Sequence, residues 1–186
     1  MITIMLCELI ADLRPLGKRT RNLGAGEFLF NRDDSVRSLF FMEDGEVHLV
    51  RFQADGGQLV LQRAATGQVV AEASVFSAVY HCDAIAIVPS RVMEIEGSRF
   101  RSELLTNKRL ADAWNQYLAR EVQATRLRAE ILSLKTVASR LDAWLSLHSG
   151  RLPEKGEWKI LATQIGVTPE ALYREIAKRS KAPTPR

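Results

Sequence analysis

The chain has only two cysteines in 186 residues, Cys7 and Cys82, too few for a disulfide framework. That excludes the small secreted scaffolds held together by cross-links. No apolar run approaches the ~18 residues of a membrane span. The apolar opening Met1–Leu13 is interrupted by Glu8 and Asp12 and follows no basic stretch, so no signal peptide is expected. Phosphate loop, zinc-ligand spacing and nucleophile–base pair are all missing, which leaves an enzyme the least favoured class. A hydrophobic content of 46% argues against wholesale disorder. The length suits one domain or two small ones, and the expected class is a cytoplasmic protein with no membrane partner.

The charge is weak in sum and uneven in place. Lys and Arg number 26 against 22 Asp and Glu, a formal net charge of +4. Residues 1–125 balance to −2, while 126–186 carry 12 Lys and Arg against 6 Asp and Glu, a balance of +6. An acidic front and a basic back suit a molecule whose back meets a polyanion. A solvated basic face fits the charge equally well.

Glycines punctuate the front. Gly24, Gly26, Gly45, the Gly56–Gly57 pair and Gly67 separate short runs rich in β-branched, aromatic and leucine residues: Leu39–Met42, Val47–Phe52, Leu59–Gln62 and Gln68–Val70. Asp44-Gly45 and Asp55-Gly56-Gly57 are hairpin signals, because such turns need a positive φ that glycine supplies without steric cost. Val47 and Leu49 fall on one face, with His48, Val50 and Phe52 on the other. A further run, Ala84–Val88, continues past Pro89 into Arg91–Ile95. Strands at this spacing predict a compact antiparallel roll, able to enclose a small ligand.

From Asn107 to Leu134 neither glycine nor proline occurs. Leu110, Trp114, Leu118, Val122, Thr125, Ala129 and Leu132 recur at helical steps, a stripe on a helix roughly 40 Å long. Two readings of the stripe stay open: core against the chain's own roll, or a seam shared with a second copy. Glu121 and Arg128 beside it make the seam imperfect.

The back reads as helices. Thr136 offers an N-cap, with Val137, Leu141, Trp144, Leu145 and Leu147 supplying an apolar face up to Gly150. After Leu152-Pro153, Trp158–Ile165 reads as a short helix with Ile160, Leu161 and Ile165 inward. Gly166 turns the chain, and Thr168 caps a new helix with Pro169 in first position. There Ala171, Leu172 and Ile176 face inward, and Glu170, Tyr173, Arg174, Lys178 and Arg179 outward. Two helices about a glycine turn, the second with a basic face, form a helix-turn-helix.

In this order the pieces resemble the Crp/Fnr superfamily of bacterial transcription regulators, over nearly the whole chain. The resemblance rests on Leu23-Gly24-Ala25-Gly26-Glu27-Phe28-Leu29-Phe30, Arg32-Asp33-Asp34, Leu39-Phe40-Phe41-Met42 and Asp44-Gly45-Glu46-Val47-His48-Leu49. Asp55-Gly56-Gly57 and Ala71-Glu72-Ala73-Ser74-Val75-Phe76 follow in the roll. At the back stand Leu152-Pro153 and the run Leu161 to Arg174. It implies an α+β fold: a roll like the cyclic nucleotide-binding domain over 1–106, a dimerisation helix over 107–134 and a helix-turn-helix domain over 135–186. It implies a homodimer paired through Leu110, Trp114, Leu118, Val122 and Thr125, on palindromic double-stranded DNA, with RNA polymerase a further partner. DNA contacts then fall on Thr168, Pro169, Glu170, Tyr173, Arg174, Lys178 and Arg179.

Two departures from the family pattern matter. Members that bind cyclic AMP follow a Gly-Glu pair with an Arg that neutralises the phosphate; here Ala71 precedes Glu72, and Val79-Tyr80-His81-Cys82-Asp83 contains no Arg. A buried phosphate without a cation is costly, so cyclic AMP is disfavoured. The second departure is the β-wing that normally follows the recognition helix: it is reduced or missing, since Lys178-Arg179-Ser180-Lys181 runs into Ala182-Pro183-Thr184-Pro185-Arg186.

Glu72, His81 and Cys82 are the candidate effector residues. His81 and Cys82 suggest a soft metal or a redox response. Adjacent strand residues face opposite ways, which favours instead a buried thiol and a hydrogen-bonded imidazole filling an emptied pocket. Cys7 could add a thiolate but makes no iron–sulfur cluster, and His48, His81 and His148 are the haem candidates. A second function class stays open: a roll that regulates a partner protein, its helix-turn-helix no longer reading DNA.

Overall fold

A computed structural model describes residues 9–54 and 56–181. Cys7, the Asp55 of the second hairpin and residues 182–186, on which the reduced or missing wing was read, lie outside the described residues. Two compact units are divided between Leu118 and Ala119, and each is taken by itself.

The first unit is an antiparallel roll of two four-stranded sheets. Strands β1 (Gly17–Leu23), β8 (Ser90–Glu96), β3 (Ser38–Asp44) and β6 (Val69–Val70) form one, in that order. The other runs β2 (Phe28–Phe30), β7 (Asp83–Ala86), β4 (Glu46–Phe52) and β5 (Gln58–Ala65). Asp44 and Gly45 turn β3 into β4. Gly45 has φ +88°, and a Cβ there would collide with the Ser90 side chain and lie 2.7 Å from the Pro89 carbonyl. Only glycine satisfies both demands. Between the sheets lie Leu23, Phe30, Phe40, Met42, Val47, Leu49, Val70, Cys82 and Ala84, all buried. Val50, placed by alternation on the opposite face from Leu49, is buried too, where the register shifts between Leu49 and Val50.

A second core closes the other side of the roll. Residues 9–13 are helical and bring in Leu9 and Leu13, which pack with Leu39, Phe41, Ile95 and Phe100. Helix α1 (Gly97–Thr106) contributes Phe100. Helix α2 (Lys108–Ser133) matches the predicted 107–134 within a residue at each end. It starts where Asn107 accepts the Leu110 N–H on its side-chain oxygen at 3.1 Å, an N-cap. In this unit α2 buries Leu110, Trp114 and Tyr117 in the second core, with Trp114 edge-on to Phe100 at 4.8 Å. The Asp12–Arg109 ion pair ties its first turn down.

The second unit is helical. It holds α2 from Ala119 onward, α3 (Val137–Leu147), α4 (Trp158–Gln164) and α5 (Pro169–Lys181), with a short turn of helix at Lys155–Glu157. Thr136 caps α3 through a capping box in which it accepts the Ser139 N–H at 3.0 Å while Ser139 accepts the Thr136 N–H. Ile131, Leu141, Trp144, Leu161, Ala162, Ile165, Leu172 and Ile176 form the core. Two apolar residues expected to face it do not. Ile160 is 50% exposed because α4 has only seven residues and covers one narrow stripe, Leu161 and Ala162, while Leu147, at 46%, is the last residue of α3.

Candidate functional site

Two places follow from the sequence, the roll interior and the outer face of α5. In the roll, β6 ends at Val70 and Ala71 takes φ +72°, a left-handed backbone that costs a non-glycine residue about 1–2 kcal/mol. The turn carries Glu72 into a buried position on the short helical turn Glu72–Ser74. Cys82 lies in the interior at 1% exposure. Burial pushes its thiol up to about 11, Asp83 and Glu72 add to the rise, and Arg51 opposes it. The thiol is therefore protonated at neutral pH, a poor nucleophile and a poor metal ligand.

His81 faces the other way and is exposed. Its Nδ1 lies 2.9 Å from the Ser74 hydroxyl, which links the segment just before β7 to the turn carrying Glu72. Its carbonyl accepts from Arg51 at 3.2 Å, and Asp83 accepts the Arg32 N–H at 2.9 Å. The structure thus buries Glu72 and Cys82 and leaves His81 on the surface, tied to the Glu72–Ser74 turn through Ser74. Among the described residues no three His, Cys, Asp or Glu side chains form a group able to hold a metal. The other histidines are engaged: His48 Nε2 lies 2.5 Å from Glu46, and the His148 ring stacks on Trp144 at 3.6 Å.

A cleft of about 450 Å³ on the roll escaped the sequence reading. Arg21, Arg37, Ser38, Phe40, Tyr80 and Glu94 are among its lining residues. Tyr80 donates to the Ser38 carbonyl at 2.7 Å and stacks on Phe30 at 3.8 Å. The Glu94 carboxylate accepts from Arg19 and Ser38, each at 2.8 Å. Burial alone would raise its pKa, but these two bonds outweigh it and hold the carboxyl below its ordinary range. Arg19 and Arg21 sit two apart on an edge strand, a spacing that no motif marks.

In the second unit, Thr168 accepts the Ala171 N–H at 3.2 Å and so caps α5, with Pro169 in first position. Leu172 and Ile176 anchor the helix in the core. Glu170, Tyr173, Arg174 and Lys178 are all exposed, and Trp158 packs on the Tyr173 ring at 5.7 Å. The Glu170 carboxyl is held below its usual range by its own backbone N–H and the Thr168 hydroxyl, so at neutral pH it is an ionised acceptor. Arg179 differs from expectation. Its guanidinium turns inward to α3, donating to Asp142 at 2.6 Å, Glu175 at 2.8 Å and the Ala138 carbonyl at 3.0 Å. A side chain holding three such bonds is a clamp between helices, not an outward phosphate contact.

The α2 stripe divides along its length. Leu110 and Trp114, expected at a dimer seam, are 1% and 2% exposed inside the chain's own core and have no surface to offer a partner. Leu118 is partly buried, Val122 is 48% exposed and Thr125 is exposed.

Residues 20–107 match the family of the cyclic nucleotide-binding domain. Among solved structures, FixK2 from Bradyrhizobium japonicum is similar with a TM-score of 0.68 at 17% identity, over 87% of this chain and 84% of that one. The c-di-GMP responsive global regulator CLP of Xanthomonas campestris gives 0.65 at 19% identity, over 94% and 91%. The sensor domain of the transcriptional regulator DNR from Pseudomonas aeruginosa gives 0.55 at 24%, over 73% and 95%. No curated protein matches the chain. At these identities the likeness establishes the fold, an antiparallel roll followed by helices, as the sequence led one to expect. No described helix is long and apolar enough to cross a membrane.

Proposed function

We propose that this chain is a transcription regulator of the Crp/Fnr type, a homodimer that reads a palindromic DNA site and takes its signal through the roll. The observation that supports it best is the outer face of α5. A capped, well-anchored helix exposes Glu170, Tyr173, Arg174 and Lys178 together, on the more basic half of the chain. Glu170 and Arg174 lie one helical turn apart, so they reach neighbouring base pairs. An ionised carboxylate accepts from cytosine N4, and a guanidinium bonds guanine O6 and N7. The Thr168 hydroxyl and the Lys178 ammonium then meet phosphates. Arg179 stays with α3.

Pairing is assigned to the part of the α2 stripe that keeps exposed surface, the partly buried Leu118 with Val122 and Thr125. Two reading helices related by a two-fold axis require half-sites about 34 Å apart. The signal is not cyclic AMP. Where a phosphate would need a cation stands the neutral Cys82 thiol, and the carboxylates of Glu72 and Asp83 act on it against a single exposed Arg51. That environment repels a cyclic phosphate. Cys82 and Glu72 are the interior groups assigned to whatever the roll binds.

Selection from random-sequence DNA tests the reading, followed by binding measurements on the selected site. A palindrome is expected. Arg174→Ala is expected to cost about 1–3 kcal/mol and relax the preference at one base pair, while Lys178→Ala weakens all sequences alike and lowers the salt slope by about one. Failure to select any sequence would instead support the roll as a module that regulates a partner protein.

A further inference from the structure

Four backbone carbonyls of the helical unit converge on one side chain. Arg140, in the first turn of α3, donates from Nε to the Leu134 carbonyl at 2.8 Å and from Nη2 to the Leu132 carbonyl at 2.9 Å. Its Nη1 donates to the carbonyls of Gly166 at 2.8 Å and Ile165 at 3.2 Å. Leu132 and Leu134 are the end of α2 and the residue just past it, whereas Ile165 and Gly166 form the turn between α4 and α5. The last carbonyls of a helix have no partner within it and carry its partial negative charge, so a cation there is doubly favoured. A guanidinium holds five donors in a rigid planar fork and can serve two sets of carbonyls at once; a lysine ammonium cannot span them.

The same two segments also touch directly. Gly166 has φ +65°, and a Cβ there would collide with Leu132 Cδ2. Ile131 of α2 is buried in one core with Leu172 of α5. Two residues beyond Gly166 comes Thr168, the cap that sets the start of α5. The end of α2, the Arg140 fork and the start of α5 are thus consecutive links in one chain of contacts.

We infer that Arg140 is a positioning residue that fixes the direction of α5 relative to the last turn of α2. This rests on the DNA-binding reading above and extends it: Arg140 itself touches no base or phosphate. With α2 as the paired helix, the direction of its last turn decides how far apart the two copies of α5 stand. Arg140 transmits that direction, and so sets the spacing of half-sites the dimer accepts rather than their sequence.

The test compares full-length wild type with Arg140→Lys and Arg140→Gln by selection on random DNA, then by affinity for the palindrome and for an isolated half-site. Both variants are expected to select the same half-site sequence but to accept spacings one or two base pairs from the wild-type optimum. Affinity for the wild-type palindrome should fall about tenfold while half-site affinity stays within about twofold, because only the coupling of the two half-sites is lost. Faster hydrogen exchange at the Leu134 and Val167 amides is expected alongside. Should Arg140→Gln fail to fold, Arg140→Lys and Leu132→Ala carry the comparison. An unchanged spacing preference with unchanged exchange would overturn the role of Arg140 alone. A wild type that selects no DNA would refute the regulator reading, and this inference with it.

Discussion

Substituting Val122 by aspartate should separate the two halves of the α2 stripe. Within one chain Val122 is 48% exposed, so half its side chain already meets water and an aspartate there loses only the packing of the covered half. Full burial of a valine is worth about 1.5–3 kcal/mol, so covering the exposed half at a two-fold seam gives about 1 kcal/mol per copy and about 2 kcal/mol per dimer. Val122→Asp removes that and adds two desolvated carboxylates facing each other, several kcal/mol more. A loss near 5 kcal/mol raises the dimer dissociation constant by about three orders of magnitude or more. Light scattering at micromolar concentration should therefore find a dimer for the wild type and a monomer for the variant, with a melting midpoint extrapolated to low protein concentration nearly unchanged. Leu110→Ala is the counterpart. At 1% exposure it opens a cavity in the roll's own core and should cost about 2–5 kcal/mol of stability without weakening pairing specifically. A Val122→Asp protein that stayed dimeric, or a wild type that ran as a monomer, would refute the argument.

Other outcomes follow from the same geometry. Cyclic AMP should give no heat of binding at physiological concentrations; calorimetry showing a low-micromolar dissociation constant would show that a cation from elsewhere supplies the missing charge. The Glu94 carboxyl is held below its ordinary range when folded, so its stabilisation is complete above the unfolded carboxylate pKa and disappears as the pH falls through the lower, folded one. The unfolding free energy of Glu94→Gln from urea denaturation should thus lie below that of wild type at pH 7, by about 1–2 kcal/mol, and the two should converge on acidification. In a Cys7→Ser background, Cys82 should resist iodoacetamide at pH 8 until the protein is unfolded, because its thiol titrates near 11. Ala71→Gly should raise stability by about 1 kcal/mol by relieving the left-handed strain at φ +72°, as read from thermal melting.

Much of this fold is written locally. Asp44-Gly45 marks the first hairpin because a positive φ there is demanded by the close approach of Ser90 and Pro89. Thr136, Thr168 and Pro169 mark helix starts because caps act over three residues. Strand β1 was not legible: Gly17–Leu23 is an edge strand, largely exposed and polar, with no alternation to betray it. The α2 stripe shows how far periodicity goes. It identifies one face, but Leu110, which is buried, and Val122, which is half exposed, obey the same repeat. What covers a face is a tertiary fact. Arg140 and Arg179 could not be told from surface cations for the same reason, since the carbonyls and carboxylates they hold come from 4 to as many as 41 residues away in sequence.

The inward turn of Arg179 reshapes how the helical unit meets a charged rod. With Glu175 of α5 and Asp142 of α3 it forms a trio whose charges sum to −1, beside the row of Arg174 and Lys178, from which Glu175 and Arg179 lie one residue, about 100°, around the helix. The polar surface of the unit therefore changes sign beside that row. A uniformly basic helix would stick to DNA in many orientations, whereas a helix positive on one flank and negative on the next is repelled unless the positive flank leads. If α5 reads DNA as proposed, Arg179 lends the unit an electrical front and back that narrows the angles of productive encounter.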